Sequence, residues 1–151
     1  MKLTSLLVAT LALCFGVSGT ALAQDKSLEK IYHQDANEGF LSCSRTFTLA
    51  QKMAALSDGG HSVKVQYKDA GNYQKCILEG KDDIKASYEK FAAKVKKPSA
   101  KLALKEHYIA ALSALQGVEP LSDERKMNYE KRQGENQSKL DTAWIRFETE
   151  N

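Results

Sequence analysis

The sequence predicts an all-α fold, an antiparallel helical hairpin extended to a four-helix bundle and closed by one disulfide. Three observations lead there. Apolar residues recur every three or four positions over long stretches, as amphipathic helices require. The strand-like alternation Val63-Lys64-Val65-Gln66-Tyr67 has no convincing partner strand, so it is read as helix. Cys43 and Cys76 lie equally far from the midpoint of the Gly59-Gly60 pair.

The hairpin follows from that symmetry. Asp58-Gly59-Gly60 supplies the turn, because glycine tolerates positive φ and ends helices well. Two antiparallel helices joined there bring Cys43 opposite Cys76. Gly39 and Gly80 fall opposite one another in the same register, one helical turn further out, and glycine on glycine lets the backbones approach closely enough for a disulfide. The register also pairs Leu28 with Phe91, Ile31 with Tyr88, Leu49 with Ala70 and Leu56 with Val63. Along the first helix the expected seam alternates steps of three and four through these residues, as knobs-into-holes packing demands. Asp35, Ser42 and Thr46 interrupt it with polar side chains set against Ile84, Ile77 and Tyr73.

Two more helices complete the bundle. Pro98-Ser99 marks a boundary and a start, after which Leu102, Tyr108, Ile109, Leu112 and Leu115 keep helical spacing as far as Gly117 and Pro120. Ser122, with Asp123 and Glu124 behind it, reads as the N-terminus of the last helix. That helix carries Met127, Leu140, Trp144 and Phe147, with Gly134 a point of fraying or kinking. With little other loop material, four helices are the natural sum.

Residues 1–23 read as a secretory signal: Lys2 in the n-region, an apolar run from Leu6 to Val17 too short to span a bilayer, and an A-x-A site at Ala21-Leu22-Ala23. The mature chain is then a single helical domain, residues 24–151, in the bacterial periplasm, with secretion as the alternative. Removing Lys2 lowers the formal charge of +3 by one, a balance that argues against a nucleic-acid binder. The stretch Lys94, Lys96, Lys97, Lys101 and Lys105 suits solvated surface at a helix end. No segment beyond residue 23 is apolar enough to span a membrane. In an oxidising compartment Cys43 and Cys76 should be linked, since neither a C-x-x-C pair nor a second cysteine pair points to redox catalysis or zinc.

Catalytic chemistry is not legible. His33, His61 and His107 stand in no H-E-x-x-H pattern, and no E-x-x-H motif of the kind that builds di-iron centres occurs. His33, His107, Met53 and Met127 could each supply an axial haem ligand, but there is no C-x-x-C-H. Asp82-Asp83 and Glu148/Glu150 do not face each other on a helix. The expectation is therefore no catalytic residue, no metal ligand and no cofactor.

The most distinctive local run is Ala143-Trp144-Ile145-Arg146-Phe147-Glu148. Helical spacing sets Trp144 and Phe147 in the core, while a sharper reading makes Trp144, Arg146 and Phe147 a partner-binding surface, tryptophan and arginine being frequent hot-spot residues. From Leu140 onward the run resembles the end of an exported lysozyme-inhibitor family with an Ala-Trp-x-x-Arg-Phe type signature in a helical, disulfide-bonded domain. It differs in the arginine position, in lacking a cysteine after the tryptophan, and in cysteine spacing. The leading expectation is a small exported interaction module, of inhibitor, immunity or chaperone-like type, that binds another exported or envelope protein. The alternatives are a ligand, haem or metal carrier with its cavity near His33 or His107, and an enzyme whose site is gathered from distant residues.

Overall fold

The computed structural model describes residues 18–57, 67–121, 124 and 126–151. They form α1 (Ser18–Ser57), α2 (Tyr67–Ala92), α3 (Pro98–Gln116) and α4 (Lys126–Glu150), with no strand among them. The chain is all-α, and its helices form a bundle. The expected turn at Asp58-Gly59-Gly60, the contested Val63–Gln66 stretch and the Ser122-Asp123 cap lie outside the described residues.

The register of the first hairpin is as the cysteines and glycines require. Cys43 and Cys76 are bonded, with a Cα–Cα distance of 5.7 Å. A Cβ added to Gly39 would lie 3.9 Å from the Gly80 Cα, and one added to Gly80 would lie 3.8 Å from the Gly39 Cα, so each glycine faces the other's bare backbone. Glycine is needed here for close approach and not for an unusual φ.

The buried stripe of α1 differs from the expected seam. Tyr32, Ala36, Phe40, Cys43 and Phe47 are buried, whereas Ile31 and Leu49 are 46% and 62% exposed and Ser42 and Thr46 face solvent. The stripe has turned by one residue, about 100° on a helix. A two-helix seam assumes that α1 has one neighbour, but α1 also packs on α3, so its core face points between the two. Of the polar interruptions, Asp35 and Ser42 line the depression at the α1–α2 crossing and Thr46 is exposed, so water reaches them.

The face of α3 is corrected in the same way. Leu102 and Ile109 are 57% and 53% exposed, Tyr108 and Leu112 are half-buried, and of the expected set only Leu115 is fully in the core. The buried face is instead Ala100, Ala103, Leu104, His107, Ala111 and Ala114. Small side chains let α3 sit close against both α1 and α2, where branched residues would overpack. Pro98 does open α3, at its first turn, where no backbone N–H is needed.

On α4, Leu140, Trp144 and Phe147 are buried as expected, but Met127 is 76% exposed and Tyr129 takes its place in the core. The helix begins at Lys126, later than Ser122 implied, and runs unbroken through Gly134. What holds its start is a clamp from Arg132. The guanidinium meets Glu124, with Nε–Oε1 at 2.8 Å, and donates to the carbonyls of Gly117 and Glu119. Tyr129 and Gln133 donate to the carbonyls of Val118 and Gly117. The arginine and its hydrogen bonds hold the Glu124 carboxyl below the usual carboxylate range, and they tie the start of α4 to the end of α3. A Cβ at Gly117 would lie 2.3 Å from Asn136 Nδ2, so a larger residue there would displace the Asn136 side chain.

Candidate functional site

The chemistry-bearing side chains converge where α1, α3 and α4 meet. Tyr32 and His33 are consecutive on α1, His107 sits on the inward face of α3, and Trp144 is on α4. Tyr32 and His107 are both 0% exposed, and the Tyr32 hydroxyl lies 2.7 Å from His107 Nδ1. With the hydroxyl as donor, the imidazole proton belongs on Nε2. That nitrogen is buried and has no hydrogen-bond partner.

Around this pair the rings pack face to edge. His107 stands edge-on to Tyr32 at 5.4 Å and to Trp144 at 5.0 Å between centroids. His33 stacks on Trp144 at 4.1 Å and lies 6.3 Å from His107. Two of the three histidines, far apart in sequence, are therefore neighbours across one tryptophan. No sequence spacing signals this, because 74 positions separate His33 from His107.

Burial dominates the electrostatics. It depresses His107 to a pKa of about 4, with a smaller push from His33 in the same direction. Burial also lowers His33, opposed by the Glu148 and Asp141 carboxylates. The Tyr32 hydroxyl is raised by burial and by the nearby Tyr88 and Tyr108, so it stays protonated. Glu29 is raised by burial and by Glu148. At neutral pH the inner cluster is thus uncharged and the ionised groups stand outside it.

A cleft of about 370 Å³ opens beside the cluster, lined by Lys26, Glu29, Lys30, His33, Trp144 and Glu148. Its mixed charges could receive a polar group next to the His33–Trp144 stack. A second depression, about 280 Å³, lies over the glycine crossing, where Cys43 and Cys76 form part of a wall otherwise rich in carboxylates, among them Asp35, Glu38, Glu79 and Asp83. Among the described residues no group of three or more His, Cys, Asp or Glu side chains could hold a metal ion, and no helix is long and apolar enough to cross a membrane.

Of the three residues set out as a partner surface, Phe147 is 0% exposed and Trp144 8%. Arg146 alone projects outward, and its Nη1 meets Glu106 Oε2 of α3 at 2.5 Å. Leu102 and Ile109 flank Glu106 at i−4 and i+3 on α3, so the arginine–carboxylate pair sits beside two exposed aliphatic side chains. Comparison with protein-family models, curated proteins and solved structures finds no match to this chain. The likeness of the run from Leu140 onward to the lysozyme-inhibitor signature accordingly carries no assignment, and function rests on the geometry.

Proposed function

We propose that the protein is a small exported interaction module, working in the bacterial periplasm or as a secreted protein, that binds another exported or envelope protein by surface contact. The observation that carries this reading is the outer α3–α4 face, where Leu102 and Ile109 stand exposed on either side of the Glu106–Arg146 pair. Exposed aliphatic side chains around a positioned arginine are the usual ingredients of a binding hot spot. The disulfide suits an exported chain and pins α1 to α2 beneath the bundle that presents this face.

The test is capture of envelope and secreted proteins on immobilised native protein, repeated with Arg146→Ala and with Leu102→Ser/Ile109→Ser. Both variants alter exposed positions and should keep their helicity and melting temperature. Each should weaken a specific capture by about fivefold or more. Equal affinity for wild type and both variants would exclude this face.

A second reading, a ligand or metal carrier, draws support from the convergence of His33, His107 and Trp144 beside the cleft. An absorption spectrum and metal analysis of native material separate the two. A Soret band, or one equivalent of bound transition metal, would favour the carrier.

A further inference from the structure

The two sides of α1 are held in different ways. Toward α2 the backbones meet at the glycines and are covalently joined. Toward α4, no Cα of one helix comes within 8 Å of the other among the described residues. That side is spanned by rings: His33 and Tyr32 against Trp144, at 4.1 and 6.3 Å, and Phe47 against Tyr129, at 5.1 Å. His107 reaches from α3 into the first of these bridges.

We propose that Tyr32, His107 and Trp144 form an acid-released latch: protonation of His107 parts α4 from α1 and uncovers Trp144, while the disulfide keeps α1 and α2 together. The cluster has no means of accepting a positive charge in place. From α1, His107 meets Tyr32 and has His33 nearby, neither of them an anion. From α4 it meets Trp144. Tyr88 and Phe91 of α2 pack on Tyr32, Phe91 also meets Phe147 of α4, and Tyr108 of α3 is stacked on Tyr88. The carboxylates Glu148 and Asp141 act on His33, and Glu29 of α1, with Lys26 and Lys30, lines the outer cleft beside the His33–Trp144 stack. An imidazolium at residue 107 would therefore be buried without a counter-ion: its Nε2 proton already has no acceptor, and the added Nδ1 proton would face the Tyr32 hydroxyl that donates to that nitrogen. A charge so placed is relieved by admitting water, and the side-chain-bridged α1–α4 seam is where the bundle can admit it.

The direction with pH follows. His107 binds a proton less readily in the closed bundle than in an exposed state, so the closed form is fully favoured above the ordinary imidazole pKa of about 6.5 and loses that preference as pH falls from there toward about 4. Trp144 is the single tryptophan and reports the opening directly.

The experiment follows the oxidised protein through acid titration by imidazole NMR, tryptophan fluorescence and far-ultraviolet circular dichroism. The expected result is a red shift of Trp144 emission and a several-fold rise in acrylamide quenching. Both should track the His107 titration, with helicity retained. His33→Gln should leave the transition in place, and Tyr32→Phe/His107→Leu, which removes the polar pair together, should abolish it. Constant Trp144 emission through the His107 titration would overturn the latch. So would loss of helicity at the same midpoint, or persistence of the transition in the double variant. Should that variant fail to fold, coincidence of the NMR and fluorescence midpoints in the native protein decides alone.

Discussion

The α1–α2 and α1–α4 seams share a helix and obey different physics. At the first, two glycines remove side chains from the contact, the backbones close in, and a covalent bond fixes the register. At the second, the backbones stand apart and large rings fill the gap, with a neutral histidine among them. A tight seam depends on what is absent from its side chains; a wide one depends on the protonation and packing of those it contains.

The largest expected effect breaks the first seam. Cys43→Ser/Cys76→Ser removes a bridge with a sequence separation of 33, which should cost roughly 3–4 kcal/mol and lower the denaturation midpoint accordingly. Mapping of the oxidised protein should recover the linked peptide pair, and two free thiols in native material would contradict the register.

Next comes steric intrusion at the crossing. A Cβ at Gly80 would lie 3.1 Å from Leu115 Cδ2 and one at Gly39 would lie 3.4 Å from Ile84 Cδ1. Gly80→Leu should thus cost about 1–3 kcal/mol by overpacking, although helix propensity favours the substitution. Gly39→Leu should cost less than Gly80→Leu, since its Cβ has more room, 3.4 Å to the nearest atom against 3.1 Å. Thermal melts that leave both variants unchanged would show that the crossing is not tight.

How much could be read in advance divides along the same line. The tight seam was legible because its determinants, two cysteines and two glycines, are rare residues in mirrored positions. Even there the spacing of Leu28, Ile31 and Leu49 points to a face of α1 one residue away from the buried one. Cys43 must lie at the contact, and stepping from it by threes and fours reaches Phe40, Ala36 and Phe47, the stripe that is in fact buried. The wide seam was not legible. Hydrophobic spacing favours large aliphatic residues and so points Leu102, Ile109 and Met127 inward, while the packing of α3 against α1, α2 and α4 selects Ala100, Ala103, Ala111 and Ala114. The meeting of His33, His107 and Trp144 has no local signal, because it depends on three helices packing together. The Arg132 clamp has no local signal for a related reason: its acceptors are two backbone carbonyls, which sequence does not distinguish, and the Glu124 carboxylate across the start of α4.

The smallest effect sharpens the comparison from the α4 side. Gly134 has open space around its Cα and sits within a continuous helix, so Gly134→Ala should stabilise by about 0.5–1 kcal/mol through helix propensity. The gain should appear as a raised melting temperature. A loss of stability there would mean that α4 is more tightly enclosed than its surroundings indicate.

Native-state hydrogen exchange, read residue by residue at neutral pH, tests the central contrast most directly. The account predicts that amides of α1 and α2 around Cys43 and Cys76 exchange only through global unfolding. Those of α4 from Leu140 to Phe147 should exchange through a separate opening of lower free energy, and that opening should become easier as pH falls below 6.5. Equal protection of α4 and the disulfide crossing, insensitive to pH, would contradict it.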